Sequence, residues 1–425
     1  MENLMKVWNV IKRLLDGSCF DRLKSGGAVC RGMDIEENKE NPVDRQTNTD
    51  PLLARLQSFL ETAFEFRYNR LTEETEFRQK GITGEGFRSV DQRALNSICL
   101  EARMEGIACW DRDISRYIHS YRVAEYHPFT LYMDELPDWD GTDRLEALAR
   151  RVSDNALWIA GFRRWMLAMT VQWMQLDGMH GNSVAPILVS RKQGKQKSTF
   201  CKILMPAALQ RYYTDSVDLN SLAQTERKLS LFGLVNLDEF DKIPDRKMAL
   251  LKNLMQMAGV NIRKAYQKNY MPLPRMASFI ATSNRKELLS DPSGSRRFLC
   301  VEVVDKIDCS KVDHEQVYAQ LKAELLAGGR YWFTQEEEAE IMVSNAAFYK
   351  HAVEEDVFQS CFRLAEKGEK ALSLSAAEIF RRLKQQNPSA MRGVMARNFG
   401  AFLGSLGVER IHTRYGNQYL VVPLT

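Results

Sequence analysis

The chain lacks a cysteine pair at redox or metal spacing. Its eight cysteines (19, 30, 99, 109, 201, 300, 309 and 361) are scattered, with no Cys-x-x-Cys and no His–Cys cluster. That usage argues against a disulfide framework or a zinc module and fits reduced thiols in a cytoplasm. It also disfavours a zinc-bearing primase joined ahead of the central region. Long apolar runs are missing too. The greasiest stretch, 158–174, is interrupted by Arg163 and Arg164, so it reads as a buried amphipathic helix and no membrane span is expected. Lys12 and Arg13 likewise split the apolar positions Met5, Val7, Val10, Ile11, Leu14 and Leu15, where a short amphipathic helix is expected and a secretory signal is not. Neither sign of charge is in excess. The net charge of +4 is too mild to argue for nucleic acid by itself.

What is present is a 425-residue chain of ordinary globular composition, 44% hydrophobic and 27% charged. Its length suggests roughly two to four domains. Residues 1–50 read as an N-terminal helix and a polar linker, the latter over 36–50. Residues 51–140 read as a small α+β domain. A helix from Pro51 carries Leu52, Leu53, Leu56 and Leu60 on one face, a hairpin spans 65–77, and two helices over 90–121 are broken near 106–110. Residues 141–335 hold three apolar runs, 186–189, 231–239 and 277–284, separated by helical stretches. Further helical patterns flank them at 144–177 and 312–333. Such alternation predicts an α/β core on a parallel sheet, with its ligand crevice at the carboxyl ends of the strands. Residues 336–425 start with an acidic helical linker. They end in two helices (376–385 and 394–403) and two strands (408–411 and 419–422), the outline of a winged-helix-like domain. Residues 375–425 carry seven Lys and Arg against two Glu, which suits a duplex- or junction-binding module, with a protein-docking domain as the rival.

Each apolar run of the core closes on polar chemistry. The first opens into Ser190-Arg-Lys-Gln-Gly-Lys-Gln-Lys-Ser-Thr199, the second ends in Asp238-Glu239, and the third ends in Asn284. Arg296 and Arg297 follow. Nucleotide hydrolysis needs a lysine on the β- and γ-phosphates, a hydroxyl and an acid for Mg²⁺, a group that orients water, and an arginine for the transferring phosphoryl. Lys197 suits the phosphates, together with Lys192, Gly194, Ser198 and Thr199. Ser198 and Asp238 suit the metal, Glu239 the general base, Asn284 the water, and Arg296 or Arg297 the finger. Taken singly, a basic turn, an acid-capped strand, a Thr-Ser-Asn cap and an Arg pair are all common surface features. Their order, each at the end of an apolar strand, makes that bland reading the weaker one.

From 259 to 286 the sequence has no acid. It carries Arg263, Lys264, Lys268, Arg275, Arg285 and Lys286, interleaved with Tyr266 and Tyr270. A basic, aromatic hairpin suits a single-stranded backbone, with Arg263, Lys264 and Lys268 on phosphates and Tyr266 stacking on a base. A solvated loop is the alternative.

These blocks, with His127-Pro-Phe129 and Trp139-Asp-Gly141 ahead of them, resemble the virulence-associated protein E (VapE) family over about half the chain, from 126 to 333. The matching blocks are 188–199, Phe232-Gly-Leu-Val-Asn-Leu-Asp-Glu-Phe-Asp-Lys242, Ile262-Arg-Lys-Ala-Tyr266, Ser278-Phe-Ile-Ala-Thr-Ser-Asn284 and Asp291-Pro-Ser-Gly-Ser-Arg-Arg-Phe298. The family belongs to prophages, pathogenicity islands and other mobile elements, and is similar to superfamily-three helicases. The resemblance implies a P-loop, AAA+-like ATPase that binds ATP and Mg²⁺ and forms a homo-oligomeric, hexameric ring on single-stranded or forked DNA, with a separate primase as a further partner. Lys197 and Ser198 would be its Walker A residues, Asp238 and Glu239 its Walker B pair, Asn284 its sensor 1, and Arg296 or Arg297 a finger reaching the neighbouring subunit. The departure lies in the loop. Where the family reads Gly-Lys-Gln-Gly-Ile-Gly-Lys-Ser-Thr, this chain has Arg191, Lys195 and Gln196 in place of Gly, Ile and Gly. Bulky residues at glycine positions are expected to strain the loop. The leading expectation is an ATP-dependent DNA helicase or replication-initiator ATPase. The rival is a non-hydrolysing DNA-binding or regulatory protein with a degenerate loop.

Overall fold

The computed structural model describes residues 51–84, 86–177, 180–263, 269–290, 292–350, 353–365, 369–392, 394–396, 399–414 and 416–424. The helix and linker expected within 1–50 lie outside them. The chain forms two units. One reaches Lys286 and resumes over Ser293–Asn345; the other comprises Glu287–Pro292 and Ala346–Thr425.

The first unit opens with α1 (Pro51–Ala63), β1 (Phe64–Asn69), β2 (Glu74–Gln79), β3 (Arg88–Ser89), α2 (Gln92–Met104), α3 (Asp111–Ile118) and β4 (Glu125–Tyr126). β1 and β2 are the expected antiparallel hairpin, in a sheet of order β3-β2-β1-β4. Strand alternation turns Phe64 and Phe77 toward Leu56 and Leu60 of α1 and Ile98 of α2, which form a core of their own. The opposite face pairs Arg67 with Glu76 and Arg78 with Glu65. Gly106, at φ +74°, makes the break between α2 and α3.

Three helices lead to the central sheet: α4 (Pro128–Asp134), α5 (Arg144–Arg150) and α6 (Ala156–Trp173). The motif His127-Pro-Phe129 has a local cause. The His127 imidazole accepts from the Thr130 N–H, Pro128 takes a helix-start position where its missing N–H costs nothing, and Phe129 packs on Trp173 and Tyr212. α6 is buried on nearly every side: Trp158, Phe162, Trp165, Met166, Met169 and Trp173 are all core. Arg163 leaves that core to bridge Asp143 and Glu324.

Next come β5 (Ala185–Val189), α7 (Lys197–Ile203), a 3₁₀ turn (Ala207–Tyr212), β6 (Tyr213–Thr214), α8 (Leu222–Leu231), β7 (Leu234–Leu237), α9 (Asp245–Gln256), β8 (Gly259–Ile262), β9 (Met271–Pro274), β10 (Ser278–Ser283), β11 (Phe298–Glu302), α10 (His314–Leu326) and α11 (Gln335–Ser344). Five of these strands form one sheet in the order β11-β5-β10-β7-β6, parallel throughout. β5, β7 and β10 are buried along their whole length, which explains why they read as apolar runs rather than as alternating patterns. Two boundaries differ from expectation. Leu231 ends α8 instead of starting a strand, because the chain turns at Gly233, where a Cβ would come within 2.5 Å of the Phe129 ring. Residues 331–333 are not helical; the helix expected over 312–333 ends at Leu326.

The second unit contains α12 (Val353–Cys361), β12 (Phe362–Leu364), β13 (Leu372–Ser375), α13 (Ala376–Gln386), α14 (Phe399–Ser405), β14 (Arg410–Thr413) and β15 (Gly416–Pro423). β15 pairs antiparallel with β12, β13 and β14. Ser375 caps α13 by accepting from the Glu378 N–H, and Ile379, Leu383, Leu403, Tyr419 and Val421 make the core. α14 starts at Phe399, five residues later than the 394–403 pattern suggests. Among the described residues no helix is long and apolar enough to cross a membrane.

Candidate functional site

Parallel strands carry their polar tips to one end of the sheet, and the strand order decides which tips meet. β10 lies between β5 and β7, so Asn284 stands between the turn after β5 and the acids after β7. The Lys197 ammonium donates to Asn284 Oδ1 at 2.9 Å. The Ser198 hydroxyl donates to Asp238 Oδ1 at 2.9 Å, and Thr282, on β10, donates to the same oxygen. Four of the expected residues therefore form two hydrogen-bonded pairs, Lys197 with Asn284 and Ser198 with Asp238, at the ends of three adjacent strands.

Lys197 is only 7% exposed, whereas Ser198 and Asp238 face solvent. Burial lowers the Lys197 pKa, and the nearby Asp238 and Asp241 carboxylates oppose that shift. Glu239 holds a left-handed backbone at φ +53°, uncommon for a side-chain-bearing residue, and its carboxylate meets the Lys242 ammonium at 2.6 Å.

The turn between β5 and α7 keeps a glycine-type conformation in spite of its sequence. Gly194 lies at φ +77° and Gln196 at φ +62°. Arg191 is not in the left-handed region, so of the two bulky residues at family glycine positions only Gln196 carries backbone strain. The loop is fastened from behind: the Lys195 ammonium donates to the Val304 carbonyl at 2.6 Å, the Ile307 N–H donates to the Lys195 carbonyl at 3.2 Å, and the Cys309 thiol reaches the Gln196 carbonyl. Lys192 and Thr199 are exposed on this turn and on the first turn of α7. Replacing Gln196 with glycine is expected to raise the unfolding free energy by up to about 1 kcal/mol. Urea unfolding checks this, and a loss of stability would contradict the strain.

The remaining expected residues are placed apart from this cluster. Arg296 Nη1 meets Glu338 Oε2 at 3.0 Å, on α11 of the same chain. Arg297 is half-buried just before β11. Arg263 directly follows β8, which pairs antiparallel with β9; Lys264, Tyr266 and Lys268 lie outside the described residues. Arg275, counted with the basic stretch, is in fact 2% exposed. Its guanidinium donates to the Leu254 carbonyl (2.8 Å), the Asn182 carbonyl (2.8 Å) and Gln172 Oε1 (3.2 Å), tying the hairpin base to α6. It is a structural cation, and burial drops its pKa to about 9.

Sequence reasoning passed over Asp241. Its carboxylate accepts from the Ser283 hydroxyl at 2.9 Å and the Asn284 N–H at 3.3 Å. The signal was its place three residues after Asp238, within the quoted motif.

No curated protein matches the chain. Among solved structures, an apo structure of the NrS-1 C-terminal region (305–718) covers 88% of this chain and 100% of its own, at 12% identity and a TM-score of 0.42. An A-form apo structure of the same region covers 87% and 99%, at 13% identity and a TM-score of 0.42. Residues 351–421 match a family described as a domain of unknown function, DUF3874. Residues 133–350, more than half of the chain and all of the polar-tipped strands, match the virulence-associated protein E-like domain, and the chain belongs to that family.

Proposed function

We propose that this protein is an ATP-dependent DNA helicase or replication-initiator ATPase of a prophage or other mobile element, acting in the cytoplasm as a homo-oligomeric ring on single-stranded or forked DNA. The observation that carries the reading is the pair of hydrogen bonds, Lys197 to Asn284 and Ser198 to Asp238, at the carboxyl ends of adjacent parallel strands. Its insertion of the Asn-tipped strand between the lysine- and acid-tipped strands fits an AAA+-like P-loop core. The division into 1–50, 51–140, 141–335 and 336–425, with a winged-helix-like last part, belongs to the same reading.

In it, ATP enters with its β- and γ-phosphates on Lys197 and on the backbone N–H groups of the Gly194–Ser198 turn, with Lys192 and Thr199 at the rim. Ser198 Oγ and Asp238 Oδ1 are hard oxygen donors suited to Mg²⁺. Among the described residues no group of three or more His, Cys, Asp or Glu stands ready for a metal, so the protein would supply only these donors beside phosphate and water. When bound, Mg²⁺ neutralises charge on the phosphates. Glu239 takes the proton of the attacking water, and Asn284 orients that water once ATP has displaced its oxygen from Lys197. Arg296 or Arg297 meets the phosphates of a neighbouring subunit, Arg296 after leaving Glu338.

Arg263, Lys264, Tyr266 and Lys268, which lie between β8 and β9 in the sequence, would follow the DNA strand. Replacing Lys264 and Lys268 with alanine is expected to weaken single-strand binding and to shrink the log–log salt slope by roughly 1.4. An unchanged slope would remove the hairpin from the DNA path.

The left-handed Gln196 favours a second reading, a DNA-binding regulator whose loop holds nucleotide without turning it over. Strand displacement on a forked duplex separates the two. The helicase reading expects unwinding with ATP and none with a non-hydrolysable analogue. Binding of ATP and DNA without hydrolysis or unwinding would support the regulator.

A further inference from the structure

We propose that Asp241 is a positioning residue for hydrolysis, holding the end of β10 so that Asn284 stays between Lys197 and the acid-tipped strand. The inference rests on the ATPase reading above. Asp241 lies beyond the general base and touches neither Lys197 nor Ser198 by hydrogen bond, so none of the roles assigned above includes it.

Its geometry is that of a clamp. The side chain is 8% exposed, so its carboxylate gives up water and must find donors within the protein. It finds them on three consecutive residues of one strand end: the Ser283 hydroxyl at 2.9 Å, the Asn284 N–H at 3.3 Å and, at the edge, Arg285 Nε at 3.6 Å. Ser283 completes a small turn: its oxygen accepts from the Arg285 N–H at 3.0 Å, and the Arg285 carbonyl, 2.8 Å away, is the alternative acceptor for its single proton. Asp241 thus holds the Asn284 backbone and the side chains of the residues on either side of it, next to the Asn284 side chain that reaches Lys197 at 2.9 Å. The anchor comes from the segment following β7, the strand bearing Asp238 and Glu239. Asp241 thereby adds a link between the acids and Asn284 to those made by the β7–β10 pairing and by Thr282 on Asp238. A charged acceptor serves this better than a neutral one, because hydrogen bonds to an ionised group are shorter and roughly twice as strong.

Loss of such a support displaces Asn284 without removing it. Displacement of a reacting group by about 1 Å can cost on the order of a hundredfold in rate. The experiment compares the full-length protein with Asp241→Ala, Asp241→Asn, Asn284→Ala and the Asp241→Ala/Asn284→Ala double variant. Phosphate release and the Kd of a fluorescent ATP analogue are measured for each. The expected result is a kcat for Asp241→Ala lowered by roughly tenfold to a hundredfold with Kd within about threefold. Asp241→Asn, whose amide oxygen can still accept from Ser283 and Asn284, should recover most of the rate. The double variant should be no slower than Asn284→Ala alone, because the two act through one group. Losses that multiply in the double variant, or rate and affinity falling together in both Asp241 variants, would overturn the positioning role and leave the ATPase reading standing. An intact protein that binds the analogue but does not hydrolyse ATP would overturn both.

Discussion

Replacing Lys197 with alanine should lower kcat/KM for ATP hydrolysis by about 10²–10³-fold, the scale set by removing one preorganised donor from a developing anion. Lys197 is taken almost wholly out of water, which disfavours its charge, yet Asp238 and Asp241 stand close enough to oppose that loss. Its ammonium donates to the neutral oxygen of Asn284. For stability alone this is a poor use of a lysine, since a buried cation without a full salt bridge costs more than an apolar side chain of similar shape. An incoming phosphate supplies the missing charge. Lys197→Met should therefore lose hydrolysis while keeping or slightly raising the melting temperature. Steady-state phosphate release and thermal unfolding on the same samples check both halves. A variant that melts early and retains its rate would mean that Lys197 serves the fold.

Acidification should destabilise the first unit through His127, by roughly 3 kcal/mol between pH 6.5 and 4. Burial, helped by the nearby Arg70 charge, drops the His127 pKa from its ordinary 6.5 to about 4. The folded protein thus keeps the ring neutral where the unfolded chain protonates it. Stability is fully present above pH 6.5, falls as the pH drops below that value, and stops falling at about 4, where the folded ring also takes a proton. The neutral ring is needed because its Nδ1 accepts from the Thr130 N–H at the start of α4, the helix that delivers Phe129 to Trp173 and Tyr212. His127→Asn keeps a capping acceptor and removes the titration. Urea unfolding at pH 7 and pH 5 should show the intact protein losing roughly 2 kcal/mol more than the variant. Equal losses in the two proteins would contradict the assignment.

Much of the candidate site was legible because the central strands are buried on both faces. Continuous apolar runs with polar ends single out Ser190, Asp238 and Asn284, and the tertiary fold brings their surroundings together. Strand order was not legible, since it depends on which strand packs beside which over long sequence separations. Asp241 was missed for that reason: its meaning comes from β10 lying next to β7. Local sequence also misled where packing overrides composition. Arg275 looked like part of a basic surface until its carbonyl partners placed it inside. Leu231 looked like strand until Gly233, pressed against Phe129 and Trp173, marked the true turn. The loop is a mixed case. Two family glycines are absent, and both absences suggested strain, but only Gln196 occupies the left-handed region.

The most direct test is Mg²⁺-dependent phosphate release from ATP by the purified intact protein, with and without single-stranded DNA, beside Glu239→Gln. Turnover should need Mg²⁺, rise with DNA, and fall to background in Glu239→Gln while ATP binding persists. A rate at background in the intact protein, or an intact rate in Glu239→Gln, would contradict it.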